Sequence, residues 1–244
     1  MTSLTGKTTL VVGGGTGIGR AIALAFASEG SQVVVAGRRE EMLREVAANA
    51  TNSSQIFTHV VDVTDRTSVK TLVDWTHQTV GQIDILVNAA GVNFPDRSLA
   101  DMPPEKWDEV LSINATGAYN CIYAVLPQMR TRGEGLIFNI SSVAGKRASR
   151  LGGVAYSASK FAMTALGTAV GLEEGKNGIR VTNVYPGEVD TAILDQRPQP
   201  LTSEYRARIL QPSTVAEMII AIAKLPPLAH VPELVIKAVW QDYA

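Results

Sequence analysis

Thr8-Thr9-Leu10-Val11-Val12-Gly13-Gly14-Gly15-Thr16-Gly17-Ile18-Gly19 carries a short apolar, β-branched run directly into a glycine turn. Ile18, Ile22, Ala25 and Phe26 then recur at helical spacing, so the stretch reads as strand, turn, helix. That context makes a glycine cluster a phosphate site rather than only a flexible turn. Gly13 permits the tight turn, and Gly17 and Gly19 let backbone approach a pyrophosphate and let helix pack on strand. The helix N-terminus offers free N–H groups and partial positive charge to Gly15, Thr16 and whatever anion lies beside them.

The same alternation continues along the chain. Further strands are predicted at Gln32–Ala36, Thr58–Val63, Ile83–Asn88, Leu136–Ile140, Arg180–Tyr185 and Leu234–Ala238. Several are apolar almost throughout, as strands covered on both faces are. Between them Trp107, Val110, Leu111, Ala118, Ile122 and Val125 keep helical spacing, as do Val215, Met218, Ile219 and Ile222. This predicts an α/β fold, doubly wound, with a seven-stranded, mainly parallel sheet and helices on both faces. No linker or composition break divides residues 1–244, so one domain is expected. The exception to regularity is Asp190–Gln211, rich in proline and charge, which reads as a surface loop or, in an α/β enzyme, a substrate lid.

Bulk composition narrows the function classes. The 244 residues are 45% hydrophobic and 18% charged, with a formal net charge of -1, which gives no general electrostatic case for nucleic acid or anionic membrane. Cys121 is the only cysteine, and His59, His77 and His230 are scattered, so no metal site is expected. The N-terminus lacks a basic region followed by an apolar stretch, and no run approaches the ~20 apolar residues of a membrane span. A soluble, cytoplasmic protein is predicted.

Two further patterns carry chemistry. Tyr156 and Lys160 lie four apart, on one face of a helix. An ammonium beside a phenol favours the phenolate, which turns a group of pKa about 10 into a usable acid/base. By itself the pair also fits a surface tyrosine packed on a lysine stem. The second strand ends in Gly37-Arg38-Arg39, with no carboxylate where a ribose hydroxyl would need one. Two guanidinium groups suit a 2′-phosphate, so NADP is favoured over NAD, unless the arginines simply begin a solvated helix with Glu40 and Glu41.

Together these motifs resemble the short-chain dehydrogenase/reductase family, in its short single-domain branch with a Rossmann-type fold, over nearly the whole chain from Lys7 to about Ile236. The resemblance implies cofactor contacts at Gly13, Gly15, Thr16, Gly17, Ile18, Gly19, Arg38 and Arg39. It adds Asp62 and Val63 at the adenine, Asn88-Ala89-Ala90-Gly91 near the adenosine ribose, and Pro186, Gly187, Val189 and Thr191 at the nicotinamide. It implies Tyr156 as acid/base, Lys160 as the group that lowers the tyrosine pKa and holds the ribose, Ser142 as donor to the substrate oxygen, and Asn114 as anchor of a water relay. Ser141 is the alternative serine, and Asn114 alternatively a polar kink in a buried helix. The chain departs from the pattern at Val12, where the family often has threonine, at Gly15, where it usually has serine, and in a slightly long Ser142–Tyr156 spacing.

The implied activity is NADP-dependent, reversible hydride transfer between nicotinamide and a small carbonyl or secondary-alcohol substrate. The alternatives are a 3-oxoacyl-[acyl-carrier-protein] reductase, for which Arg130, Arg132, Lys146, Arg147 and Arg150 would form a docking surface, and a catalytically silent NADP-binding regulator. Lys146, Arg147 and Arg150 would otherwise meet a carboxylate or phosphate, or be solvated loop charges, and Phe94 and Arg97, after the Asn-Ala-Ala-Gly motif, would line the same pocket. Glu188 has no assigned role. The small residues after Tyr156 predict close helix packing and a homodimer or homotetramer.

Overall fold

A computed structural model describes residues 2–50, 55–197 and 199–242, so Pro198, inside the segment read as a lid, lies outside the described residues. Seven strands form one parallel sheet: β1 Thr8–Val12, β2 Gln32–Gly37, β3 Ile56–Val60, β4 Ile83–Asn88, β5 Gly135–Ile140, β6 Ile179–Pro186 and β7 Glu233–Ile236. Their order is β3-β2-β1-β4-β5-β6-β7. The order reverses between β1 and β4, the switch point at which such sheets open a crevice.

The helices are α1 Gly17–Ser28, α2 Glu40–Ala48, α3 Arg66–Thr79, α4 Pro104–Leu111, α5 Gly117–Arg132, α6 Val154–Glu174, α7 Ser203–Arg206 and α8 Pro212–Ala223. Successive strand side chains divide between two cores. Val11, Val33, Val35 and Val87 meet Ile22 and Phe26 of α1, Leu43 of α2 and Ile219 of α8. Leu10, Val12, Val34 and Leu86 meet Leu72 of α3 and Ile122 and Val125 of α5 on the other face. Each such buried side chain contributes roughly 1.5–3 kcal/mol, which is why the central strands are mostly apolar.

Several strand boundaries differ from expectation by one residue, and β3 and β7 by more, with β3 beginning at Ile56 rather than Thr58. β3 ends at Val60 rather than Val63 because its one partner, β2, ends at Gly37, which pairs with Val60. β7 runs from Glu233 to Ile236 rather than from Leu234 to Ala238. Its ladder closes where β6 reaches Pro186, and the Gly187 N–H donates to the Ile236 carbonyl at 2.7 Å. Trp107, taken as part of an apolar stripe, is 38% exposed, while Val110 and Ile113 are the buried positions.

One polar feature crosses this interior. Asn88, Asn139 and Asn183 occupy the same register on β4, β5 and β6. The Asn88 amide donates to Asn139 Oδ1 at 2.9 Å, and the Asn139 amide to Asn183 Oδ1 at 3.2 Å. The Asn183 amide then donates to the Thr164 carbonyl and the Thr168 hydroxyl of α6. Gly167 makes room for this ladder: a Cβ there would stand 2.1 Å from Asn183 Oδ1.

Candidate active site

The C-terminal ends of β1 to β6 deliver the candidate residues to one edge of the sheet. After β1, Gly13 turns with φ +80°, and its N–H donates to the Ala36 carbonyl at 2.8 Å. A side chain at Gly13 would strike the Ala90 backbone nitrogen, and one at Gly19 the Gly13 carbonyl, both at 2.3 Å. The loop after β1, the start of α1 and the Asn88–Gly91 segment therefore lie in direct backbone contact. α1 begins without a side-chain cap at Thr16 and without an acidic residue in its first turn. Ile18, in its first turn, lines the small cavity described below.

Arg38 and Arg39 are exposed, and Arg39 Nη2 reaches Thr16 Oγ1 at 3.5 Å, beside the glycine turn. Glu40 pairs instead with Arg44. Asp62 accepts from the Thr64 N–H and hydroxyl at 2.9 and 2.8 Å; those bonds and nearby Arg38 hold its carboxyl below the usual range. Val63 is buried, and its carbonyl takes the Asn120 amide.

Asn114 lies in a π-helical turn, Ser112–Thr116, that joins α4 to α5 and is closed by the Gly117 N–H on the Ser112 carbonyl. Such single-turn insertions re-aim the backbone and concentrate at functional sites. Its side chain is fully engaged: it brackets the Val92 peptide, with Val92 N to Oδ1 at 2.8 Å and Nδ2 to Val92 O at 3.0 Å, and also donates to Ser159 Oγ. A water relay through Asn114 would therefore use its backbone.

The two serines after β5 separate cleanly. The Ser141 hydroxyl is buried against α6, donating to the Lys160 carbonyl at 3.1 Å and meeting Thr164 Oγ1 at 3.2 Å. Ser142 caps the short 3-10 turn Val143–Gly145, and its hydroxyl lies close enough to Tyr156 to lower that phenol. Ser142 and Tyr156 line one small cavity, of about 150 Å³, with Asn93, Arg97, Glu188 and Arg197.

Tyr156 and Lys160 occupy the first turns of α6. Burial pushes the Tyr156 phenol up, against smaller lowering effects from the Ser142 hydrogen bond and the Arg97 charge. The expected lowering by Lys160 is absent. Its Nζ stands 5.6 Å from the Tyr156 ring centroid and donates to the Ile140 carbonyl at 2.7 Å, so its charge is directed at the end of β5. Lys160 is 4% exposed, and burial lowers its own pKa to about 8.

Past β6, Gly187 is pressed against Lys237 and Gln241, Val189 is buried, and Thr191 approaches Gly17. The following segment is structured. Ala192–Gln196 forms a 3-10 turn, Ser203–Arg206 forms α7, and Val189 bridges Leu210. Ion pairs hold it: Arg197 to Glu188 at 2.6 Å, and Arg206 to both Asp190 and Asp195. The Tyr205 hydroxyl donates to Glu188 at 2.9 Å. Glu188 thus anchors this segment, and Asn93 and Arg197 join the cavity unanticipated. The loop cations go elsewhere: Lys146 pairs with Glu233 and sits over the Tyr185 ring, and Arg150 lines a wider cleft with Trp107 and Phe161 that shares Arg97, Ser149 and Leu151 with the small cavity.

The model of the short chain dehydrogenase family matches residues 7–201. A Staphylococcus saprophyticus oxidoreductase is 36% identical over 98% of this chain and 100% of its own. Among solved structures, the closed form of a serine dehydrogenase complexed with NADP+ superposes with a TM-score of 0.89 at 28% identity, covering 97% of both chains. A Brucella melitensis 3-ketoacyl-(acyl-carrier-protein) reductase complexed with NADH gives 0.85 at 26% identity, over 96% of this chain and 98% of that one. No helix among the described residues is long and apolar enough to cross a membrane.

Proposed function

The chain belongs to the short chain dehydrogenase family and is an oxidoreductase, and we propose on that footing that it is an NADP-dependent carbonyl reductase or alcohol dehydrogenase with Tyr156 as acid/base. The observation that carries this reading is the single cavity in which Tyr156 and Ser142 face each other, at the same sheet edge as the glycine turn.

The crevice fits a dinucleotide. The uncapped N-terminus of α1 leaves N–H groups for a diphosphate, and the crowded contacts of Gly13 and Gly19 bring backbone where side chains would block it. Asp62 and Val63 would border the adenine, Asn88 to Gly91 the adenosine ribose, and Pro186, Gly187, Val189 and Thr191 the nicotinamide. Arg38 and Arg39, both exposed, Arg39 beside Thr16, and in none of the ion pairs among the described residues, favour NADP through a 2′-phosphate. When bound, the nicotinamide supplies or accepts the hydride.

The protein's part is the proton and the oxygen. Ser142 donates to the substrate oxygen, where negative charge grows during reduction, and Tyr156 gives it the proton. Lys160, directed at Ile140 and 5.6 Å from the Tyr156 ring, would hold the ribose and return a proton to the tyrosine. Asn114 fixes the Val92 peptide behind them. Segment 190–211 would act as the lid.

Tyr156→Phe tests the reading. Reduction across a panel of carbonyl compounds should fall on the order of 10²–10⁴-fold while NADPH fluorescence titration still reports binding. An active Phe variant would remove Tyr156 from the chemistry, and tighter binding of NADH than NADPH would overturn the arginine argument. The acyl-carrier reading is weakened because Arg130 is paired with Glu174, Arg132 donates to the Ile83 carbonyl, and Lys146 is held by Glu233. Tyr119 and Tyr123 of α5 and Phe161 and Leu172 of α6 are exposed on neighbouring helices, which supports a homodimer or homotetramer. Light scattering should give two or four times the chain mass.

A further inference from the structure

The cavity at Ser142 and Tyr156 is small and carries unbalanced charge. At about 150 Å³ it leaves compact space beside the reacting groups, and it shares Arg97, Ser149 and Leu151 with the wider cleft next to it. Three charged side chains line it: Arg97, Glu188 and Arg197. Arg197 and Glu188 neutralise each other at 2.6 Å, and the Tyr205 hydroxyl completes that pair.

Arg97 is different. It is 8% exposed, and its guanidinium donates through Nε to the Phe94 carbonyl at 2.9 Å, through Nη1 to the Leu151 carbonyl at 2.8 Å, and through Nη2 to the Gln196 carbonyl. These partners fix the fork between the two loops and the 190–211 segment, but all are neutral. Among the described ion pairs Arg97 takes part in none. A guanidinium has five N–H groups, so two remain after these bonds, one on each terminal nitrogen. A buried cation without an anion is costly, and the nearby Arg197 adds repulsion. Arg97 also acts on the reacting group, since its charge lowers the Tyr156 phenol.

We propose that the missing counter-ion is carried by the substrate, which is a short hydroxy acid or the corresponding oxo acid, its carboxylate received by Arg97. This rests on the oxidoreductase reading above. In the oxidative direction the carbinol carbon gives its hydride to the nicotinamide and the hydroxyl gives its proton to Tyr156. A C=O bond replaces C–OH, and the carboxylate is unchanged; reduction reverses each transfer. The planar fork suits a carboxylate.

The test compares an acid with its neutral twin: 3-hydroxybutyrate and methyl 3-hydroxybutyrate, each oxidised with NADP+, and lactate with methyl lactate as a shorter pair. In the wild-type protein the acid of at least one pair should exceed its ester in kcat/KM by on the order of tenfold or more. Arg97→Met should cut the acid's kcat/KM by on the order of 10–100-fold, mainly through KM, and the ester's far less; Arg97→Lys should recover part of the loss. If Arg97→Met does not fold, the wild-type acid-to-ester ratios still decide. Esters or uncharged ketones turned over in preference to acids would overturn the proposal and leave the oxidoreductase reading intact. An equal loss for acid and ester in Arg97→Met would reduce Arg97 to a structural clamp and likewise overturn it. If NADPH binds and no member of the wider carbonyl panel reacts, both readings fall together.

Discussion

Lys160→Met should stabilise the cofactor-free protein at neutral pH, and the gain should reverse in alkali. Burial brings Lys160 from 10.5 to about 8. At ~1.4 kcal/mol per pH unit, keeping the ammonium charged in the fold costs about 3 kcal/mol. Methionine fills similar volume without the charge. It also forfeits the 2.7 Å bond to the Ile140 carbonyl, worth about 1–2 kcal/mol net, so the variant should gain about 1–2 kcal/mol at pH 7. The sign with pH follows from linkage. Below about 8 the lysine is protonated folded and unfolded, and the full cost stands. Between about 8 and 10.5 the unfolded chain binds more protons than the native one, so wild-type stability rises relative to the variant. Above 10.5 the cost is gone and only the lost hydrogen bond remains. Urea unfolding of both proteins at matched m, from pH 6 to 10.5, should show the curves crossing between pH 8 and 10.5. A variant less stable than wild type at pH 7, or a gap that does not move with pH, refutes the reasoning. Carbonyl reduction should be lost in the same variant, a trade of activity for stability.

Other tests reach the frame around the site. Gly167→Ala places a methyl 2.1 Å from Asn183 Oδ1 and should cost about 2–3 kcal/mol or more in chemical unfolding; an unchanged midpoint would show that α6 can shift freely. Glu174 is held down to about 2 by Arg130, so it contributes stability above its ordinary 4.5 that is lost as pH falls toward 2. With Arg130 half exposed, that contribution is discounted to about 1–2 kcal/mol, and Glu174→Gln should flatten the acid limb of stability by that amount. Arg206→Ala breaks the pairs to Asp190 and Asp195 and should speed limited proteolysis of the segment after β6, while the global unfolding midpoint scarcely moves. Equal cleavage rates would mean that those pairs do not hold the segment closed.

Much of the fold was legible because it rests on local pattern. Buried parallel strands are apolar almost throughout, so β1 and β4 could be read to the residue from their β-branched runs. The outer strands were harder, because β3 and β7 stop where a neighbour stops, and no property of Val61–Val63 or Lys237–Ala238 announces that. The segment after β6 has no period, since its short turns are held by charge pairs across 188–206 and not by one apolar face. A run of alternating charge, Asp195, Arg197, Glu204, Arg206, was its available signal. At the site, residue types and order pointed to Tyr156, Ser142 and Lys160, but direction was invisible. That Lys160 faces Ile140, and that Ser141 faces α6 while Ser142 faces the cavity, depends on where α6 lies over β5. Asn93 and Arg197 escaped because only the folded chain brings residues a hundred positions apart to one wall.

The amide ladder of Asn88, Asn139 and Asn183 binds three widely separated positions into one heritable unit. Asn139 both accepts and donates, Asn88 donates to it and Asn183 accepts from it, so a change at one leaves a buried donor or acceptor stranded on its neighbour. A variant at any of the three is therefore tolerated only with matching changes at the others and in the gap over Gly167. The outermost strands, free of that bond, can drift in sequence one residue at a time. The ladder spans the strands that lead to Gly91, to Ser142 and to the 190–211 segment, so mutational drift meets most resistance where cofactor and substrate halves must stay aligned.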